Sequence, residues 1–593
     1  MNIVKTTSLL AAEALRIGSV VRRIEMVLAV LLVSNGCDSD LADIDLPRPS
    51  AEYLDELDEI AEAAAFINET AIRATVAELA GDAYEGRGPG SNGDRKAQAY
   101  LAQRLAELGY DPGSADGGWY QRVALVSVEA RAPESWLFVA DTTEQGGEYR
   151  LARGVDFIAS SGVQTEVASI VDAELVFVGY GIQAPEYGWD DFKGVDLTGK
   201  VLVVLNNDPH WDDTLFEGKR RLYYGRWTYK YESAARRGAA GAIIIHTDES
   251  AGYPWQVVQT SWSGANFELP AEGRVETLQV AAWATYPSVA AMLETAGLSL
   301  DALVAQARSP DFRPVALNLR TSITLENEIN AVETANVLGL LRGSDPALAE
   351  EVVIYTAHHD HLGLGRPNLA GDLSDRIYNG ARDNASGAAM VLAIAGAFQA
   401  LPRLPRRSVL FAFVGAEEQG LLGSLLYARQ PTFPPGRIAA NINYDSANIW
   451  GATRDVVFIG KGKSTLDAVA EQVAAYQGRV LVGDTAGELG RFYRSDQFSL
   501  ARIGVPGIYV KGGSDFVGRE PGWGPAQMRA YTQRHYHQPS DQLTDDWAFS
   551  GMVQDASFGF QAGWLISNAQ HMPRWYQGDE FEPARLRALE AVR

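Results

Sequence analysis

The chain has 593 residues, 46% of them apolar and 21% charged, which is the profile of a folded protein of two to four domains at ~150 residues each. Its 51 Lys and Arg stand against 75 Asp and Glu, a net charge of -24. That surface repels polyanions and excludes nucleic acid as a partner, because such affinity rests on basic side chains neutralising phosphates. One cysteine, Cys37, allows neither an intramolecular disulfide nor a multi-cysteine zinc site, so any metal must sit mainly on His, Asp and Glu.

Arg22 and Arg23 precede an uncharged apolar run, Met26 to Val33, which ends in Ser34-Asn35-Gly36-Cys37. Eight apolar residues are too short for a bilayer span of ~20 but suit a signal-peptide core. Residues 1–37 resemble a bacterial lipoprotein signal, although Ser34 and Asn35 depart from its usual pattern. The resemblance implies an exported protein, periplasmic or in the cell envelope and lipid-anchored through Cys37. An ordinary secretory signal and a buried N-terminal helix are the alternatives. The acidic, proline-containing stretch Asp38 to Ser50 reads as a tether, within a tether and N-terminal helix over 38–74.

The spacing of Ala97, Tyr100, Leu101, Leu105 and Leu108 predicts a helix over 92–108, stopped by Gly109. Ahead of it lies a turn-rich loop, Glu85-Gly86-Arg87-Gly88-Pro89-Gly90. From 128 to 328 short β-like runs alternate with Gly, Pro and Asp, as in 174–179, 201–205 and 242–245. Its two histidines, His210 and His246, stand far apart and form no cluster, so this block reads as a separate, non-catalytic domain. After 328 strands at 352–356, 408–414, 438–443 and 507–510 alternate with helices at 386–400 and 465–476. That rhythm predicts an α/β fold with a mostly parallel, helix-covered sheet. Two nucleotide-like motifs fail: the helix needed after Gly179 is absent, and Val457 occupies the first glycine position ahead of Gly460-Lys-Gly-Lys-Ser464.

Five of the eight histidines fall in two short clusters, Ala357-His358-His359-Asp360-His361 and His535-Tyr536-His537, the latter followed by Asp541. Between them Asp383, Glu417-Glu418 and Asp445 lie at the carboxyl ends of strands or in the loops beyond, where α/β sheets bind ligands. Strand alternation sends His359 away from the side of His358, giving it a structural place, and His361 is not assigned as a ligand. His210, His246 and His571 lie outside the motifs.

The ordered motifs Ala357-His358-His359-Asp360, Gly380-Ala-Arg-Asp-Asn-Ala-Ser-Gly387, Ala416-Glu-Glu418, Asn443-Tyr-Asp445 and Tyr536-His537 with Asp541 resemble the co-catalytic di-zinc aminopeptidase family. Bacterial leucyl aminopeptidase and glutamate carboxypeptidase II are relatives of that family. The resemblance covers roughly 75–125 and 329–575, the two parts of a peptidase domain (75–127 and 329–593), and the block 128–328 is similar to an inserted, β-rich protease-associated domain. It implies that Asp383 bridges two Zn²⁺ or other divalent ions, with His358 and Asp445 completing one site and Glu418 and His537 the other. Arg382 replaces the usual first Asp of a tandem, which leaves the ligand position at Asp383. Two cations ~3.5–4 Å apart can hold a bridging hydroxide, because metal binding lowers water's pKa towards ~7. Glu417 cannot readily share a metal with its neighbour Glu418 and is better placed as general base. The resemblance gives Glu417 that role too, and makes Tyr536 a donor to the oxyanion. Asp360 and Asp541 are expected to accept imidazole N–H bonds. Arg494-Ser495-Asp496 resembles a family segment near the pocket, a candidate substrate contact or structural pair.

The activity implied is hydrolysis of N-terminal bonds in peptides or proteins. A carboxypeptidase or a glutaminyl-cyclase-like enzyme on the same scaffold is the alternative, and a non-catalytic receptor-like relative the remote one. Neither G-x-S-x-G nor H-E-x-x-H occurs. No transmembrane run is present beyond the signal, which leaves an N-terminal lipid as the one membrane attachment expected; the sequence does not give the oligomeric state.

Overall fold

In a computed structural model, residues 49–141, 147–262, 264–271, 277–365 and 375–593 are described. The expected signal, Cys37 and nearly all of the tether lie outside them. Among the described residues no helix is long and apolar enough to cross a membrane.

The helix expected over 92–108 spans Asn92–Glu107 (α1), capped by Ser91, whose side chain accepts from the Asp94 N–H. Ala97, Leu101 and Leu105 form its buried stripe, and it ends ahead of Gly109, whose φ of 86° favours glycine. Strand β1 (Tyr120–Arg131) then pairs antiparallel with β2 (Val315–Leu341), in register from Tyr120↔Val337 to Arg131↔Glu326.

The sheet beyond them consists of β3 (Val352–His358), β4 (Ser408–Val414), β5 (Ile438–Tyr444), β6 (Asp455–Ile459) and β7 (Gly507–Gly512). Its order is β1–β2–β4–β3–β5–β7–β6, and the four strands β4, β3, β5 and β7 are parallel. β3 (VVIYTAH) and β4 (SVLFAFV) are buried at every position, as strands covered on both faces must be. One cover is α2 (Ser386–Gln399), which buries every residue except Gly396 and Gln399 and packs against helices Glu69–Leu79 and Ser550–Asn568. The fold is α/β with a mostly parallel central sheet, as the sequence implies.

The expected ends of the insert, 128 and 328, lie beside each other in the β1–β2 pair, where Val128 faces Ile329 and Glu129 faces Glu328. Both strands continue through that point without a break. The insert is also more than short β runs: strands Val167–Phe177, Val201–Leu205, Gly241–His246 and Val280–Thr285 are parallel neighbours in that order. Its core is shared as well. The apolar cluster that holds Phe177, Val203, Ile243 and Ala282 continues into Leu421, Ile459, Phe492, Phe498 and Tyr509 of the other half. Two unbroken strands and one apolar cluster thus join the halves.

Candidate metal centre

Parallel strands deliver the polar residues to one edge. His358 is the last residue of β3, Asp445 follows β5 by one position, and Glu417 and Glu418 follow β4 by three and four. Asp383 sits in the irregular turn 381–385 that opens α2, and His537 in the loop after helix Trp523–Arg534. The turn at Asp383 begins at Gly380 (φ 54°), where a Cβ would lie 2.3 Å from the Asp383 carbonyl and 2.6 Å from the His361 ring. Ala416 (φ 56°) and His537 (φ 57°) adopt the same left-handed region, which costs a non-glycine residue ~1–2 kcal/mol and re-aims the chain beside the site.

Asp383 stands between the two imidazoles. Its Oδ1 is 3.3 Å from His358 Nε2, and its Oδ2 is 3.4 Å from His537 Nε2. On the first side Asp445 Oδ1 lies 3.9 Å from His358 Nε2; on the second, Glu418 Oε2 lies 3.0 Å from His537 Nε2. Glu417 Oε2 is 3.9 Å from His358 Nε2. The groups His358–Asp383–Asp445 and His361–Asp383–Glu418 each bring three donor atoms within 4.8 Å of one another. The Nε2 atoms of His358, His361 and His537 are buried with no hydrogen-bond partner. Buried imidazole nitrogens aimed at carboxylates fit a divalent cation, and the mixed N and O donors suit zinc.

The electrostatics ask for positive charge at the same place. Burial alone would raise Asp383, but the His358 and His537 imidazoles facing it hold it well below the usual carboxylate range. Against the same upward push of burial, His537 holds Glu418 down to about 2, and Lys511 with His358 holds Asp445 there too. His537 rises to about 10: burial opposes the shift, while Glu418 and Asp383 drive it. Glu417 is pushed well up, first by burial and then, against the pull of His358, by Asp496, Glu418 and Asp445. Cations bound here would take over the compensation that charged imidazoles otherwise supply.

The supporting contacts differ in part from the sequence reading. His358 Nδ1 meets the Asp360 backbone carbonyl at 3.3 Å rather than the expected carboxylate, which lies 3.7 Å away and accepts instead from the Glu417 and Glu418 N–H groups, at 3.1 and 3.3 Å, fixing both acids at once. Asp541, expected on a histidine, instead accepts from the Arg382 and Asp383 N–H groups at 2.8 and 3.0 Å and from the Tyr531 hydroxyl. The left-handed His537 backbone turns the loop so that the Asp541 carboxylate meets the turn carrying Asp383. His537 Nδ1 finds Ser261 Oγ at 2.8 Å, a residue of the insert. His359 meets Asp94 at 3.0 Å away from the donors, whereas His361 Nδ1 reaches Glu418 Oε1 at 2.6 Å and belongs to the site.

Arg382 turns away from the centre, donating to the Ala447 carbonyl at 2.8 Å with its guanidinium 4.6 Å from the Tyr531 ring. Tyr536 stacks on His537 at 4.0 Å between centroids, and burial, then Asp383 and Glu418, push its phenol well up, so it remains a donor. Sequence reasoning missed Arg87, whose buried guanidinium ties the carbonyls of Leu79, His359, Asn379 and Gly380 together at 2.6–2.9 Å. Its glycine-rich loop was the available signal. Ser261 carried none.

Fold and site together define an α/β protein with an imidazole–carboxylate metal centre at the carboxyl edge of its sheet. Residues 336–560, which contain His358, His361, Asp383, Glu417, Glu418, Asp445 and His537, match Peptidase family M28. Among curated relatives, leupeptin-inactivating enzyme 1 of Streptomyces exfoliatus is 29% identical over 190 residues, 30% of this chain and 42% of that protein. A protein named probable zinc metalloprotease, from Leptosphaeria maculans, is 25% identical over 280 residues, 41% of this chain and 59% of its own length. The chain thus spans about half the length of these relatives. An aminopeptidase from Aneurinibacillus sp. strain AM-1 is similar in structure at 18% identity and a TM-score of 0.49, covering 86% of this chain and 96% of that one. For the peptidase M28 precursor from Shewanella amazonensis SB2B the values are 18% and 0.46, with 88% and 99% covered.

Proposed function

We propose that the protein is a zinc-dependent metallopeptidase, and specifically an aminopeptidase that releases N-terminal residues from peptides at a two-ion centre. The observation that carries this reading is the division of Asp383, one carboxylate oxygen facing His358 and the other His537, with Asp445 on the first side and Glu418 on the second. His358, Asp383 and Asp445 would hold one ion, and Asp383, Glu418 and His537 the other, with His361 oriented on Glu418. When bound, zinc supplies Lewis acidity that polarises the scissile carbonyl and acidifies water.

The side chains carry the proton work. Glu417, held in place through its own N–H on Asp360, takes a proton from the attacking water as the C–O bond forms. It returns that proton to the leaving nitrogen as the C–N bond breaks. The Tyr536 hydroxyl, kept protonated by burial, donates to the oxyanion that develops on the carbonyl oxygen. The Asp541 carboxylate holds the Asp383 backbone, so that the Asp383 carboxylate keeps its direction.

The test pairs free-amine aminoacyl anilides with their N-blocked analogues, with and without chelator. Chelator-sensitive cleavage of the free-amine substrate alone is the expected result, and equal cleavage of both would sink the aminopeptidase assignment. Glu417→Gln should keep the metal content and lose about 10²–10⁴-fold in turnover. We further propose export with a lipid on Cys37. Mass spectrometry of the mature N-terminus should find a diacylglyceryl-modified cysteine, and an unmodified one refutes the anchor.

A further inference from the structure

A cavity of about 200 Å³ lies where the insert meets the other half of the chain, and none of its lining residues is a metal donor. Strand β6 runs antiparallel to β7, so its end brings Gly460 to the start of β7, where a Cβ on Gly460 would lie 3.5 Å from the Gly507 carbonyl. The metal donors follow the opposite ends of the parallel strands. Four cationic side chains line the cavity, Arg220 and Arg221 from the insert, Lys461 and Arg491 from beyond it. Contacts with the segment 481–491 hold them there. The Arg221 N–H donates to the Gly487 carbonyl at 3.0 Å, and a Cβ on Gly490 would lie 3.0 Å from Arg221 Cδ. A Cβ on Gly487 would lie 3.4 Å from Arg220 Cα, and Lys461 Nζ donates to the Leu481 carbonyl at 3.1 Å.

These charges are poorly matched. Asp484, which also lines the cavity, meets Arg491 at 3.5 Å, while Arg220 reaches Glu217 at 3.4 Å and Lys461 reaches Glu471 at 3.6 Å. Each is a single contact, longer than the ~2.7–2.9 Å of a charge-assisted hydrogen bond. Arg221 has less still. It is 4% exposed, and among the described residues its guanidinium meets neither a hydrogen-bond acceptor nor a carboxylate at ion-pairing distance. Asp208 attracts it from farther off but accepts from the Leu222 N–H at 2.7 Å. A buried cation without a partner is costly.

We propose that this cavity binds a tetrahedral oxyanion of the phosphate class, and that the anion fastens the insert to the other half of the chain. The volume is below the ~300–1,000 Å³ of pockets that enclose drug-sized ligands, which suits a small ion with its waters. Guanidinium forks and lysine ammonium groups both serve phosphate oxygens, and glycine in the lining lets backbone approach the ion closely. The Gly460-Lys-Gly-Lys-Ser464 motif, which fails as a nucleotide loop, supplies Gly460 and Lys461, whereas Lys463 is taken by Asp579 at 2.7 Å. Because each half contributes two of the four cations, a bound anion bridges a joint that their mutual repulsion otherwise opposes. The site does not depend on the peptidase reading.

Calorimetry on the zinc-loaded protein tests this with inorganic phosphate, glycerol phosphate and acetate as probes. Phosphate should bind about tenfold or more tighter than acetate. Glycerol phosphate binding as well as phosphate would identify a phosphate ester as the natural ligand, and its failure to bind would identify the free ion. Arg221→Gln from the insert and Lys461→Gln from the other half should each weaken phosphate by about tenfold, whereas Arg221→Lys should retain part of the affinity. Phosphate binding undiminished in both glutamine variants lies elsewhere, the zinc centre included, and overturns the proposal. So does the absence of phosphate binding by the unaltered protein, or equal binding of phosphate and acetate, without recourse to any variant. Hydrogen exchange reads the bridge apart from affinity: phosphate should slow exchange of the Arg221 N–H, which crosses the joint to Gly487. Exchange unchanged at saturating phosphate refutes the fastening role.

Discussion

The half of the centre around His358 and Asp445 and the half around His537 and Glu418 reach the same shared carboxylate by different constructions. His358 and Asp445 stand at the ends of adjacent parallel strands whose backbones are in register at Thr356 and Asn443. Beneath them Thr356 donates to Asn443, which in turn donates to Ser495 and Gln497, so the polar floor is satisfied inside the sheet. His537 comes from a loop, in a left-handed conformation, and its outer nitrogen is held by Ser261 from 276 residues away in the chain. The first half is therefore pre-formed by sheet packing, and the second depends on the insert staying docked. Removing groups in order of how much of this arrangement they serve should separate the two.

Asp383→Ala strikes both halves, and bound zinc by elemental analysis should fall from about two equivalents to nearly none, with hydrolysis lost. His358→Ala and His537→Ala should each retain about one equivalent. If either single variant loses both ions, the halves are one cooperative unit and the comparison fails. Asp541→Asn keeps every ligand but leaves one carbonyl oxygen for two N–H groups, so that its amide N–H₂ is turned towards either the Arg382 or the Asp383 N–H. Because it acts through the shared carboxylate, it should weaken zinc in both halves alike, by about 10–100-fold in competition with a chromogenic chelator.

The strand-borne half was also the half that could be read in advance. Fully buried parallel strands are continuous apolar runs, so β3, β4 and β5 end where the sequence turns polar; that placed His358 and Asp445, and also Glu417 and the other half's Glu418, at those ends. The loop-borne half was read less well. Closeness in sequence put Asp541 on His537, but beyond the left-handed His537 the Asp541 carboxylate meets the Asp383 turn. His361 was passed over because alternation ends with β3, and the residues beyond His358 no longer follow a strand. Ser261 is a single residue in a long block without motifs. Its place depends on how that block folds back through β1 and β2, which no local pattern encodes.

The smallest predicted effect bears most directly on the difference between the halves. Ser261→Ala removes one hydroxyl from the far side of His537 and touches none of the donors to an ion. An imidazole whose outer nitrogen loses its partner loses both orientation and tautomer preference, which typically weakens a metal site by about 10–100-fold. Here the loss should be confined to one equivalent. A two-step zinc titration should show the weaker step shifted by about tenfold and the other unmoved. Ser261→Thr, which keeps the hydroxyl, should restore most of the affinity if the hydrogen bond is the cause. If alanine shifts both steps equally, the insert supports the whole centre, and the strand-borne half is less independent than its sheet packing implies. If it shifts neither, His537 is held by the loop alone, and the docking of the insert does not serve the metal.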